Sequence, residues 1–371
     1  NGPSANRLDL YVIGDGYQDT ARQRRAFDRV ATAAVASCRK SHVFREYDTY
    51  FNYWSLGLVS ERNTLRVVPA DSEETREEAI AAPRQTALGG RITNEPGSGR
   101  RYKISDRRHV HRILERYHPG EHDQVAVALA RHDTALATAI KGQGVASIPD
   151  HSLVPTTHEL GHALAGLTDE YDAPNHADED EQVEAGATRV DGPNAIVGAR
   201  ALAQRDLPWE QWLDPDGSSN WSGLPVGMFP GSEGWWHPQQ ACRMRVSAHR
   251  QFCVVCAEAL VLAIYAHVRP IDSVEPASQE STLVAATAFR VRVLRPTTHA
   301  LNVSWSLEDP SGGVRALEST QADNTHSVRL DPADLSPGWH EVRCTVTDPT
   351  PWVRRERGRL EQTRTWRTRV E

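Results

Sequence analysis

Lysine is almost missing from this chain: Lys40, Lys103 and Lys141 are the only three, and the rest of its 42 basic residues are arginine. Against 49 acidic residues the net charge is −7, so the basic footprint of a nucleic-acid binder is absent. No apolar run approaches the roughly 20 residues that a bilayer span requires. The longest, Val254–Val268, is interrupted by Glu258 and His267 and reads as a buried helix. Methionine is scarce at 2 residues, and cysteine is an odd 5, which allows one disulfide plus free thiols or a thiolate metal site. No signal peptide is visible, yet the chain opens at Asn1 without Met, as a trimmed mature form of a secreted, periplasmic or cell-surface protein would.

What is present is enough to build cores. With 371 residues, 39% of them hydrophobic, two compact units are expected and a wholly disordered chain is excluded. Leu8–Ile13 reads as a buried strand ending in the turn Gly14-Asp15-Gly16, and Thr20–Lys40 has helical spacing of its apolar residues. Tyr50–Val59 and Gln124–Ala130 are strand-like, His109–Tyr117 and Pro155–Ala165 helical, and Gly142–Ile148 a short edge strand. Residues 60–99 break into charged, Gly/Pro-rich sequence and read as an insertion. The alternation predicts an α/β (α+β) layer over a mixed sheet for residues 1–270. After Pro270 come short alternating strands, with Trp305 and Cys344 at core-like positions. Residues 275–371 are therefore expected to form an all-β, immunoglobulin-like sandwich, with the Arg-rich tail as a solvated edge strand.

The sharpest signal is His158-Glu-Leu-Gly-His162. Residues four apart share one helix face, so both imidazoles can meet a single ion. A catalytic zinc takes nitrogen ligands and keeps one position open, lowering the pKa of a bound water and polarising a carbonyl. Glu159 stands between the two histidines, where it can take the water's proton as general base. Pro155-Thr156-Thr157 supplies a helix start, and Leu160, Ala163, Leu164 and Leu167 a packing face.

A third ligand has to follow. On a straight helix Asp169 would lie about 10.5 Å beyond His162, out of reach of any shared ion. Gly166 resolves this if it stops the helix in a left-handed cap and turns the chain back. Asp169 is then the third zinc ligand, with Glu170 and Asp172 as second choices.

His158–Tyr171 (HELGHALAGLTDEY) resembles the signature of the IgA-peptidase family of zinc metallopeptidases, which is metzincin-like. The Gly14-Asp15-Gly16-Tyr17 turn, the aromatic Tyr50–Val59 strand and the later Cys242-Arg-Met244 and Phe252-Cys-Val-Val-Cys256 segments resemble that family too. The general metzincin pattern HExxHxxGxxH is not kept: the glycine comes one place late, and Thr168 stands where its third histidine would be. The resemblance implies a zincin/metzincin-like fold, one catalytic zinc and hydrolysis of peptide bonds, with immunoglobulin-like or other extracellular proteins as substrates. It also implies that Met244 is the Met-turn residue beneath the metal; an ordinary core methionine is the alternative. Tyr171, Arg245 and His249 are candidates for stabilising the oxyanion.

Cys242, Cys253 and Cys256 admit three readings: a disulfide from Cys242 to Cys253 or Cys256, a structural zinc completed by His249, or free thiols. The acidic run from Asp169 to Glu184 is a solvated loop or a structural Ca²⁺ site. Gly142–Ile148 is a candidate to pair with an extended peptide. The expectation is a monomeric, secreted zinc endopeptidase acting on protein substrates. The rival is a catalytically silent surface-, glycan-binding or adhesion protein on a protease fold, which would have no need of Glu159.

Overall fold

Strand Leu8–Asp15 (β1) is apolar from Leu10 to Ile13 and buried at every position, and the computed structural model shows why: both of its faces are covered. The structure describes residues 1–69, 72, 74–95, 99–119, 124–171, 188–231, 235–249 and 251–371. β1 belongs to a five-stranded sheet with Phe51–Leu56 (β2), Gln124–Ala130 (β6), Val145–Pro149 (β8) and Thr138–Ala139 (β7), in the order β2-β1-β6-β8-β7, with β6 at its centre. Its pairs are parallel except β7–β8. Because side chains alternate across a strand, Leu8, Leu10 and Val12 join one core while Tyr11 and Ile13 join another.

The first core lies between the sheet and three helices: Ala21–Cys38 (α1), Thr156–Ala165 (α3) and Val254–His267 (α4). On the opposite face lie Arg107–Tyr117 (α2) and the expected insertion, which folds into a small sheet of Arg66–Val67 (β3), Arg91–Glu95 (β4) and Gly99–Lys103 (β5). The turn after β1 ties it down. Buried Asp15 accepts hydrogen bonds from Leu88 N (2.9 Å), Gly90 N (3.1 Å) and Tyr102 Oη (3.1 Å). Gly90 is indispensable there, since a Cβ would sit 2.3 Å from Asp15 Oδ2.

One expectation about the sheet is corrected. Gly142–Ile148 is not its edge: β8 is flanked on both sides, and the two-residue β7 is the outer strand. A two-residue strand has too few alternations to leave a pattern in sequence.

Residues 271–370 build two further sheets, one of Ile271–Glu275, Thr287–Val293, Thr325–Leu330 and Thr320–Ala322, the other of Glu280–Thr282, Glu361–Val370, Gly338–Thr347, Asn302–Glu308 and Val314–Leu317. Their inward residues, among them Phe289, Trp305, Cys344 and Trp366, form one cluster, with Trp305 stacked on Trp366 at 5.8 Å. The tail is not a solvated edge. Glu361–Val370 is paired on both sides. Arg354 lies over the Trp212 ring at 4.2 Å, and buried Glu258 of α4 accepts the backbone N–H of Arg354 (2.5 Å) and Arg355 (2.8 Å). Among the described residues no helix is long and apolar enough to cross a membrane.

Candidate active site

Helix α3 carries His158 and His162 on its inner face, both over 90% buried. Pro155 opens the helix, and Gly166 closes it in the left-handed region at φ 62°. Leu167 N then bonds back to Gly161 O (3.2 Å) and Gly166 N to His162 O (3.1 Å), which turns the chain toward the histidines as the sequence requires. Asn194, fully buried, holds the returning segment through Thr168 N (2.8 Å) and Thr168 O (2.8 Å).

Three ligand atoms converge as a result. His158 Nε2 and His162 Nε2 are 3.2 Å apart, and Asp169 Oδ1 is 2.8 Å from the first and 3.1 Å from the second. The outer nitrogens are committed elsewhere: His158 Nδ1 faces Arg243 O (3.0 Å) and His162 Nδ1 faces Leu167 O (2.6 Å). A carbonyl only accepts, so each Nδ1 carries a proton, and each ring in its neutral form turns a lone pair inward. Two lone pairs and a buried carboxylate oxygen without a hydrogen-bond donor then face one another. Such a set calls for a cation; tetrahedral bonds of about 2.0–2.2 Å set ligand atoms about 3.3–3.6 Å apart, so the three atoms would part by a few tenths of an ångström to take one. The same demand shows in the protonation equilibria. Burial alone would lower the His158 imidazole, but the facing Asp169 carries it to about 9. Burial would raise Asp169, yet the two imidazoles hold it well below the usual carboxylate range.

Glu159 lies between the histidines in sequence and lines a cleft of about 380 Å³ together with His162, Asp169 and Tyr171. Burial raises its carboxyl, against the pull of His158 and His162. Tyr171 Oη donates to Asp169 Oδ2 (2.8 Å), and its ring stacks on His158 at 6.2 Å. Met244 is fully buried beneath α3, and a Cβ at Gly161 would come within 3.0 Å of its sulfur. One wall of the cleft is Thr138–Ile140, continuing β7; the other carries Arg91, Arg101, Lys103 and Arg107.

Not every predicted residue arrives here. Glu170 turns away from the histidines into the cysteine cluster. Arg245 faces His237 Nε2 at 2.7 Å, and half-buried His249 bonds Gln251 O at 2.9 Å; neither lines the cleft. The cysteines are all thiols, with Cys242 Sγ and Cys256 Sγ 3.7 Å apart. The acidic run beyond Tyr171, the candidate calcium site, lies outside the described residues. Sequence reasoning missed Asn194, which has no motif to mark it, and Arg101, whose charge acts on both Glu159 and Tyr171 across the cleft.

A family model described as IgA Peptidase M64 matches residues 1–223, more than half of the chain. No curated protein matches it. Among solved structures, the endo-beta-1,4-mannanase from Thermotoga petrophila is 13% identical over 40% of this chain and 30% of its own, with a TM-score of 0.21. A likeness that slight bears on neither fold nor activity.

Proposed function

We propose, from the premise that the chain belongs to the IgA peptidase M64 family and is a peptidase, that it is a zinc-dependent endopeptidase of zincin type. The observation that carries this reading is the convergence of His158 Nε2, His162 Nε2 and Asp169 Oδ1, all acceptors, beside the Glu159 carboxylate. Those three residues would hold the ion, with Asp169, rather than Glu170, as third ligand. Zinc there supplies Lewis acidity toward a scissile carbonyl and a lowered pKa for water.

The chain's own residues supply the rest. Glu159 accepts a proton from the attacking water and returns it to the leaving nitrogen, a transfer that its buried carboxyl favours. Tyr171 positions Asp169 through its hydroxyl. Strand β7 is the outer strand beside the cleft and offers backbone to an extended substrate. Met244 forms a soft apolar floor under α3. The binder reading is the weaker one, because the general base is retained in a cleft beside the ligands.

The remaining readings rest on the same footing. Residues 1–270 are taken as the catalytic domain and 275–371 as an immunoglobulin-like sandwich docked on it. The second hydrophobic cluster draws only on residues from Ile271 to Val370, and Trp305 pairs with Cys344 across two strands. The family's name points to substrates outside the cell, and the protein is read as a secreted monomer. The test is turnover of a fluorogenic peptide library. Cleavage should vanish on chelation and return with added zinc; cleavage indifferent to chelation rejects the proposal.

A further inference from the structure

On the side of the Asp169–Glu170 peptide facing away from the cleft lies a second group of ligand atoms, which the proposed hydrolysis does not use. Cys242 precedes Met244, Cys253 caps the N-terminus of α4, and Cys256 sits in that helix's first turn. Glu170 reaches them from the returning segment. All four are at least 97% buried, and their ligand atoms lie within 4.8 Å of one another.

The spacing is that of a closed coordination shell. A zinc tetrahedron with Zn–S bonds of about 2.3 Å has S···S edges of about 3.8 Å and S···O edges of about 3.5 Å. Cys242 Sγ and Cys256 Sγ are 3.7 Å apart, and Glu170 Oε1 is 3.2 Å from Cys256 Sγ and 3.9 Å from Cys253 Sγ. A second observation points the same way. Glu170 Oε2 is buried without a hydrogen-bond partner, because the nearest ring nitrogen, His237 Nδ1 at 3.9 Å, is bonded to Gln239 O (2.9 Å); that is an expensive condition for a carboxylate unless a cation sits beside it.

The surroundings suit anionic sulfur. Cys242 Sγ receives Met244 N (3.4 Å) and Cys253 N (3.3 Å), and Cys253 Sγ receives Cys256 N (3.5 Å). The N-terminal end of α4 adds its partial positive charge. Asn194 Nδ2 donates to Glu170 Oε1 at 2.8 Å, the outer hydrogen bond that orients a ligating carboxylate. A disulfide fits less well. It would consume two sulfurs, strand the third thiol, and leave Glu170 Oε2 as it is.

We propose that Glu170, Cys242, Cys253 and Cys256 bind a second zinc ion, in a closed structural site with no position for substrate. It ties together three segments that share no secondary structure: the returning turn after α3, the turn holding Met244, and the start of α4. Glu170 N already donates to Met244 O (2.9 Å), so the ion would fix one peptide whose two side chains face opposite ways.

The experiment is zinc-edge X-ray absorption on the full chain purified without chelator, with zinc content measured on the same sample. A sulfur shell at about 2.3 Å beside a nitrogen/oxygen shell, at two zinc per chain, is expected. The His158→Ala/His162→Ala double variant should then keep one zinc with the sulfur shell intact. That outcome is independent of whether the first site is catalytic. A spectrum without sulfur, or only three reactive thiols in denaturant plus chelator where five are expected, overturns the proposal.

Discussion

Glu258 of α4 holds the segment at Arg354 and Arg355, and its removal has a cost that can be worked through. The side chain is 4% exposed and accepts four hydrogen bonds: Trp212 Nε1 (2.6 Å), Gln211 Nε2 (2.8 Å), Arg354 N (2.5 Å) and Arg355 N (2.8 Å). Glu258→Ala strands all four donors. The fully buried Trp212 N–H costs about 1–3 kcal/mol alone, and the two half-buried backbone groups about 1 kcal/mol each. The sum, about 3–5 kcal/mol, matches the usual cost of breaking a buried charged contact. Unfolding entropy of about 2.1 cal/mol/K per residue over 371 residues converts this to a fall in Tm of roughly 5 °C. Glu258→Gln keeps one acceptor and should lose about half as much. Calorimetry reads both variants, and metal content should not change, since Glu258 touches neither ligand group. An alanine variant melting within about 1 °C of the parent would mean that the tail is not held here, and the argument from buried donors would fail.

Other outcomes follow from the same structure. Gly90→Ala drives a Cβ to 2.3 Å from Asp15 Oδ2 and 2.5 Å from the Tyr102 ring, so urea denaturation should show a loss of about 1–3 kcal/mol. Asp169→Ala should weaken zinc binding far more than Tyr171→Phe, which removes only a hydroxyl; equal affinities on metal titration would remove Asp169 from the ligand set. His299 bridges Asp348 Oδ1 (2.7 Å) and Glu46 Oε1 (2.8 Å), and its pKa is raised above 6.5, chiefly by the hydrogen bond to Asp348. Its contribution to stability is therefore complete below about pH 6.5 and lost as pH rises through the higher folded value. Asp348 answers at the other end. Burial would raise its carboxyl, but hydrogen bonds from His299 and Tyr265 and the His299 charge take it below 3.8. Its contribution is complete above the unfolded value and lost as pH falls through the folded one. Melting temperature against pH should thus decline on both sides, with the alkaline decline smaller in His299→Gln; identical alkaline slopes would refute the assignment.

Much of the fold was legible where one face, or both, had to be apolar. β1 and β6 announce burial on two sides through the apolar runs Leu10–Ile13 and Val125–Ala130, and α4 does so through a largely apolar stretch of 14 residues. The helix that holds the histidines was legible at both ends, because Pro155 and Gly166 act through local backbone geometry. What failed depends on partners distant in sequence. β7 has two residues and exists only because β8 pairs with it. Glu258 looked like a break in an apolar run, yet it is an anchor for residues almost a hundred positions later. Asp169 and Glu170 are chemically similar neighbours, and consecutive side chains on a turning segment point apart. Nothing local says which one meets the histidines and which meets the cysteines. That choice is made by Asn194 and Met244, through hydrogen bonds to the backbone and carboxylate of the segment.

The most direct test of the central claim separates the ligands from the base. Glu159→Ala should be prepared as the full chain and compared with the parent for zinc content, circular dichroism and hydrolysis of a cleaved library peptide. Glu159 is not among the converging ligand atoms, so zinc and fold should be retained. If Glu159 takes the water's proton as proposed, the rate should fall about 10²–10⁴-fold. A variant that keeps its zinc and cleaves at close to the parent rate would contradict the account, because the proton would then have to go to a group other than Glu159.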